Sequence, residues 1–454
     1  MTAETVAAPK ENLQLVRRVI AASTIGTIME WYDFYLYGFA SALIFNKVFF
    51  PDIDPLAGTL AAFGSYALGF FARPIGGLVF GNMGDRIGRK SMLVITMSVM
   101  GGATALMGLL PTYAQLGLWA AVLLTLLRVI QGFAAGAEWG GAVVLAGEYA
   151  PKGKRGYYTS LPNAGIFVAI ILSVGILQIL SNTLRQEDFL AWGWRIPFLL
   201  SVVLIGVGLY MRLKISESPD FKELQRSKRL VRRPIVEVFR KYPKQVWLAM
   251  GTRFSETGGG YIIITFVLTY LAQKTNLPAG FGQYGLMIAA AFAIVALPLF
   301  ARLSDRIGRK RVYAIGAIGL GLFIFPYFLL LDTQLLPLVI LAMVVSLAIF
   351  YSAMAGAQPA MFSELFDPSV RVSGVVAVRE ISAPIAGGIA PFIATALLIG
   401  SGGLFWPIAV YVIAMCAVSV VSLFFMPAGS METGQPHPHD VRASKRAVAG
   451  KAAV

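Results

Sequence analysis

Apolar residues dominate the chain in runs long enough to cross a bilayer, which takes about 20 residues per helix. The runs fall near 18–45, 57–82, 90–110, 115–147, 157–181, 193–213, 245–271, 280–302, 312–331, 335–362, 372–399 and 402–426. Twelve membrane-spanning helices are thus predicted. Short polar stretches separate most of them, a longer basic stretch follows the sixth, and the polar, Pro-containing tail GSMETGQPHPHDVRASKRAVAGKAAV reads as a disordered end. The first run is too long for a cleavable signal and lacks a small-residue cleavage site, so it is expected to stay as helix one.

The polar punctuation repeats. GDRIGRK at 84–90 returns as SDRIGRK at 304–310, an offset of 220 residues. Glu148 followed by Arg155 returns as Glu364 followed by Arg371, each offset by 216. Two matches at nearly one offset divide the chain into a cytoplasmic segment 1–17, a six-helix bundle 18–213, a basic linker 214–244, a second six-helix bundle 245–426 and a cytoplasmic tail 427–454. The expected fold is all-α and integral to the membrane, two pseudo-symmetric six-helix bundles with a site between them. Rocking one half against the other would expose that site to each side in turn.

Composition agrees with this and adds an orientation. The chain is 57% hydrophobic and 13% charged, against about a quarter charged in soluble domains. Of its 38 Lys and Arg, only Lys47, Arg185, Arg195 and Lys274 fall in the loops of one side, and Arg73, Arg128, Arg253 and Arg379 fall inside spans. All others fall in the opposite loops, the linker and the termini. Basic loops stay in the cytoplasm, so both termini are expected there, in a multi-pass protein of the cell (inner or plasma) membrane. The net charge of +15 is then a topology signal scattered over loops, and no nucleic-acid partner is expected. The single cysteine, Cys416, excludes an intrachain disulfide.

Several motifs carry a family resemblance. Gly81-x-x-x-Asp85-Arg86-x-Gly88-Arg89-Lys90 and its second copy resemble the signature loop of the major facilitator superfamily, as does Arg128-x-x-Gln131-Gly132-x-x-x-Gly136. MEWYDFYLYG, FFARPIGGLVFGNMGDRIGRK, QGFAAGAEWGGAV with the following GEYAPKGKRG, and WGWRIPF resemble its metabolite:proton symporter family, nearest the branch of shikimate and 2-oxoglutarate carriers. The likeness runs from about residue 20 to 426. The second loop departs from it with Ala301 and Ser304 where the first has Gly81 and Gly84, and Arg379-Glu380 replaces an expected Tyr-Gln. The resemblance implies a cytoplasmic gate in which Asp85 reaches a helix end across the two halves. The matching groups are Asp85, Arg86 and Arg89, repeated as Asp305, Arg306 and Arg309, with Glu148, Arg155, Glu364 and Arg371 alongside.

Glu30, Asp33, Arg73, Arg128, Glu138, Arg253, Glu256, Arg379 and Glu380 lie inside the predicted spans. At roughly 3 kcal/mol for each charge at a helix centre, they must be paired, protonated or facing a wet cavity. Glu30, Asp33 and Tyr37 share a helix face, which is expected to line the cavity. Arg128, Gln131 and Glu138 fall within about 80° of one another on theirs. Arg73, beside Pro74, reads as a packing residue. Arg379 and Glu380, adjacent on one helix, are not expected to pair with each other.

No span contains histidine, so a transported proton must ride on a carboxylate. Asp33 or Glu30 is the expected carrier, with Arg128, Glu138 and Glu256 as the other coupling groups. The substrate is assigned to Tyr37, Arg128, Gln131, Arg253, Arg379 and Glu380, since guanidinium forks suit carboxylates.

The expected function is proton-coupled import of a small organic acid by a monomer working in the lipid bilayer. Uptake of a zwitterion such as proline or a betaine is the alternative, and a non-transporting sensor lacks room for an output domain. An enzyme is not expected: no metal constellation, nucleophile elbow or histidine base is present. The stretch Gly88-Arg-Lys90-Ser91 lacks phosphate-loop spacing, and no cofactor is implied.

Overall fold

A computed structural model of the chain describes residues 9–87, 89–136, 138–140, 143, 146, 150, 153–214, 234–274, 280–366 and 370–427. Twelve helical runs follow one another, because each apolar run must satisfy its backbone internally in lipid. In the first half they are α1 (Pro9–Leu43), α2 (Pro55–Ile87), α3 (Arg89–Leu109), α4 (Leu118–Ala135), α5 (Arg155–Thr183) and α6 (Arg195–Lys214). In the second they are α7 (243–274), α8 (Phe281–Ile307), α9 (Arg309–Asp332), α10 (Leu336–Glu364), α11 (Arg371–Gly400) and α12 (Trp406–Phe425). Among the described residues eight of these are long and apolar enough to cross a membrane alone. The Gln186–Gly193 and Arg195–Tyr210 pair, bent by 43°, makes a ninth. The charges of α1 and α7 and the basic start of α3 lower the apolar character of the other three.

Several boundaries differ from the sequence expectation. The first helix begins at Pro9 rather than near residue 18, and α2 and α8 run on to Ile87 and Ile307. In each repeated loop the helix continues through the Asp-Arg pair, and in the second it breaks at Gly308, whose φ of 101° no bulkier residue adopts easily. The expected linker 214–244 holds a short helix, Pro234–Lys241, and the start of α7 at Pro243. Its residues 215–233, the tail from 428 and residues 1–8 lie outside the described residues.

The halves meet along matched pairs. The α5 helix packs on α8 along its length, and α2 packs on α11, the same contact once the halves are exchanged. Within the first half, α2 and α4 cross closely. A Cβ on Gly132 would lie 1.9 Å from the Gly69 carbonyl oxygen, and one on Gly76 would lie 1.7 Å from that of Phe133. Only glycine permits this approach. It brings Arg73 and Arg128 into neighbouring positions beneath α1. In the second half, α7, α10 and α11 each contain π-helical turns, at Phe254–Gly259, Ile262–Phe266, Val345–Tyr351 and Ala383–Gly388. Such turns loosen the ladder where a helix re-aims side chains, and those of α7 and α10 contribute cavity-lining residues.

Candidate substrate cavity and buried charge networks

A narrow cavity lies between the halves. From the first half it is lined by Trp31 and Tyr35 of α1, Trp139, and Asn163 of α5. From the second come Arg253, Glu256, Tyr261, Tyr351, Gln358 and Arg379. Arg253, Arg379 and Glu256 were expected at a substrate or coupling site. Trp31, Trp139, Asn163 and Gln358 were not, because a neutral aromatic or amide inside an apolar run carries no charge signal.

The cavity-facing side of α1 differs from the expected one. Trp31 and Tyr35 line the space, their rings stacked at 5.3 Å between centroids. Glu30, Asp33 and Tyr37 turn away from it into packed protein, because each finds a polar partner there. Tyr37 exchanges a hydrogen bond with Ser65 at 2.6 Å. Asp33 accepts one from Thr104 at 2.9 Å, and Glu30 meets two arginines. Tyr37, Arg128, Gln131 and Glu380, all expected at the substrate, do not line this cavity.

Glu30 belongs to a closed four-charge ring. Arg73 donates to Glu30 at 2.8 Å and to Glu380 at 2.9 Å. Arg379 completes the ring, 3.3 Å from Glu30 and 3.6 Å from Glu380. The last contact corrects the expectation that adjacent residues 379 and 380 cannot meet. Their long side chains both curl toward the opposite charges on α1 and α2. Arg73 thus joins acids from both halves. The guanidinium of Arg379 also lies over the Trp139 ring at 4.1 Å and the Trp31 ring at 5.7 Å, a cation–π contact that anchors it at the cavity wall.

A second network lies across the cavity. Gln358 accepts from Arg253 at 3.1 Å and donates to Glu256 at 3.1 Å, while Arg253 and Glu256 stand 3.6 Å apart. Thr257 and Tyr351 also donate to Glu256, at 2.6 and 3.3 Å. Its carboxylate is thus well supplied with donors. Among the described residues three buried donor atoms of the lining residues find no acceptor: Trp31 Nε1, Arg253 Nε and Arg379 Nη1.

The third network is sealed inside the first half. Arg128 is fully buried, its guanidinium 4.3 Å from the Phe34 ring, 4.5 Å from Tyr37 and 4.6 Å from Tyr66. It donates through Nη1 to Gln131 Oε1, and Gln131 Nε2 donates to Thr104 Oγ1 at 2.7 Å. Thr104 connects in turn to Asp33. Among the described residues Asp33 has no ion-pair partner within 4 Å; Arg128 and the buried Glu138 act on it electrostatically.

At the end that carries the repeated loops, Asp305 accepts the backbone N–H groups of Gly156 and Tyr157 at 3.0 and 3.1 Å. These are in the first turn of α5, whose positive end favours a carboxylate. Arg309 holds Asp305 at 2.6 Å and Glu364 at 3.3 Å. Arg155 and Arg306 are exposed beside this cluster, and Arg371 begins α11 as its repeat counterpart Arg155 begins α5. The side chains of Asp85, Arg86 and Arg89, and residue Glu148, lie outside the described residues. At the other end of the α5–α8 contact, Asn182 donates to the Tyr284 hydroxyl at 2.8 Å.

Twelve helices in two halves around an aromatic, arginine-lined cavity define a membrane transport protein. The sequence matches the Major Facilitator Superfamily profile over residues 23–345 and 250–452. It is 39% identical over 418 residues to the shikimate transporter of Escherichia coli, covering 91% of this chain and 95% of the relative. It is 33% identical over 423 residues to the glycine betaine/proline/ectoine/pipecolic acid transporter OusA of Dickeya dadantii, covering 90% and 83%. The fold is similar to that of the xylose transporter XylE of E. coli bound to 6-bromo-6-deoxy-D-glucose, with a TM-score of 0.72, 15% identity and coverage of 92% and 97%. The chain belongs to the Major Facilitator Superfamily, and its resemblance to the metabolite:proton symporter family holds.

Proposed function

We propose that the protein imports a small organic acid together with a proton, by alternating access, as a monomer with both termini in the cytoplasm. The observation that carries this reading is the set of buried donors without a hydrogen-bond partner on residues that line the cavity: Trp31 Nε1, Arg253 Nε and Arg379 Nη1. Each unsatisfied buried donor costs about 1–3 kcal/mol, so the site favours a ligand rich in acceptors. A carboxylate bearing further hydroxyl or carbonyl oxygens fits, with its apolar part against the aromatic walls. The 39%-identical relative is named for shikimate, a cargo of that class.

A zwitterion of the betaine type is the second reading, favoured by the aromatic lining, which suits a quaternary ammonium. Here Arg379 already lies over the Trp139 face, and a second arginine lines the same space. A cationic head would meet like charge.

Moving an anion into an inside-negative cell costs about 2.3 kcal/mol per charge per 100 mV, and a co-transported proton cancels that charge. Of the two candidate acids, Glu30 is already balanced by Arg73 and Arg379, whereas Asp33 has only a hydroxyl and a hydrogen-bonded relay to Arg128. Asp33 is assigned the proton, and Glu30 the task of holding Arg379 until substrate takes its place. Uptake into proteoliposomes of labelled shikimate beside labelled glycine betaine and proline, with and without an imposed pH gradient, tests the reading. Gradient-driven accumulation of the betaine or proline but not of the acid would overturn it.

A further inference from the structure

Among the described residues α3 lines no part of the cavity, yet it sends a threonine to the proton site. Thr104 Oγ1 accepts from Gln131 at 2.7 Å and has two acceptors in reach, Asp33 Oδ2 at 2.9 Å and the Met100 carbonyl at 3.0 Å. It has one proton to give. While Gln131 donates to its oxygen, the hydroxyl must choose between the carboxylate and its own helix backbone for that one proton. Met100 is the i−4 carbonyl that a helical threonine bonds by default.

We propose that Thr104 is the positioning residue of the proton site, its hydroxyl turning to Asp33 when that carboxyl is ionised and back to Met100 when it is protonated. The inference rests on the assignment of the proton to Asp33. When Asp33 gives up its proton, the hydroxyl donates to the new charge and Gln131 polarises the donor. Gln131 is itself held by Arg128, so the positive charge reaches Asp33 through two neutral side chains rather than by a direct ion pair. This arrangement lets Asp33 exchange a proton without breaking an arginine salt bridge, which would be slow and costly in a buried site. The charged groups acting on Asp33 are Arg128 and Glu138, with Tyr32 the titratable neighbour on its own helix. The sequence gives no hint of the role, since a threonine in a Gly- and Ala-containing run reads as packing.

The test is pH-difference infrared spectroscopy of the purified protein, titrated from about pH 4 to about pH 10, which needs no substrate. The protonated-carboxyl band lost in Asp33→Asn identifies Asp33. In Thr104→Val the ionised form loses its donor, so the midpoint of that band is expected to move upward by about one pH unit. Thr104→Ser, which keeps the hydroxyl, should return the midpoint to within about 0.3 unit of the original. If the serine variant shifts as far as valine, the methyl group and not the hydroxyl is responsible, and the proposal fails. An Asp33 band unmoved in Thr104→Val also overturns the proposal while leaving Asp33 as the proton site. Absence of any Asp33-dependent band overturns both. Should Thr104→Val not fold, Gln131→Met takes its place: an upward shift smaller than one unit supports the relay, and none sinks it.

Discussion

Asp305 accepts the backbone N–H of Gly156 at 3.0 Å, so a carboxylate of one half caps a helix that begins in the other. The contact can exist only while the two halves are closed at this end. A Cβ on Gly156 would lie 2.8 Å from the Ala301 carbonyl oxygen and 2.9 Å from the carboxylate itself, which leaves no room for any residue but glycine. Capping, charge and close approach thus act on one contact.

Asp305→Asn should therefore shift the carrier toward the state open at this end. A hydrogen bond to a charged group contributes about 1.5–3 kcal/mol, so the closed population should fall by roughly 10- to 100-fold relative to the open one. Labelling of a cysteine placed at Ala301, measured in oriented vesicles from the side that carries the repeated loops, reports it. Unchanged labelling together with an unchanged transport rate would show that Asp305 is no latch.

The crossing of α2 and α4 makes a stability prediction with an internal control. Gly132→Ala places a carbon 1.9 Å from the Gly69 carbonyl oxygen, an atom that cannot move without its helix. Overpacking of this kind costs about 1–3 kcal/mol, and Tm should fall by several degrees. Gly102→Ala in α3 meets nothing within 4 Å and should leave Tm unchanged or slightly raised, since alanine is the better helix former. Equal Tm values for the two variants would argue that the helices separate freely here.

The helices, their number and the duplication were legible because each is written as a long apolar run or a repeated string. Which side chains share a cavity was less so. Glu30, Asp33 and Tyr37 lie on one face of α1 by spacing alone, and that face does meet polar partners. Those partners sit on α2, α3, α4 and α11, and the cavity took the neighbouring Trp31–Tyr35 side instead. Spacing gives the phase within a helix but not the rotation of that helix against the next. Glu380 was expected at the substrate and lies instead against Arg73 of the other half, more than 300 residues away in sequence, at 2.9 Å.

Within the four-charge ring, Arg379 and Glu380 should respond differently to neutralisation. Arg379→Gln removes the guanidinium of a residue that lines the cavity, and binding of an organic acid should weaken at least tenfold, the loss of about 1.4 kcal/mol or more expected for a charged hydrogen bond. Glu380 does not line the cavity, so Glu380→Gln should weaken binding less and act mainly on stability. Binding titrations with shikimate and glycine betaine decide it. A larger loss in Glu380→Gln, or stronger betaine binding in Arg379→Gln with no loss of acid binding, would count against an anionic substrate.

The two acids of MEWYDF should part company. Asp33→Asn holds the proton site in a neutral form resembling the loaded one, and it leaves no arginine within ion-pair distance uncompensated. Substrate should still exchange across the membrane in counterflow, while uphill accumulation driven by a pH gradient disappears. Glu30→Gln removes the shared partner of Arg73 and Arg379, at 2.8 and 3.3 Å, and leaves the ring with excess buried positive charge. Breaking a buried pair in this way costs about 3–5 kcal/mol, so exchange, accumulation and thermal stability should all fall together. The measurement is counterflow beside gradient-driven uptake in proteoliposomes, with Tm taken on the same preparations. Accumulation that survives in Asp33→Asn moves the proton to another carboxylate, Glu138 or Glu256 being next to test. A Glu30→Gln protein that keeps its Tm and its exchange but loses accumulation would instead make Glu30 the carrier, with the ring opening each time its proton is loaded.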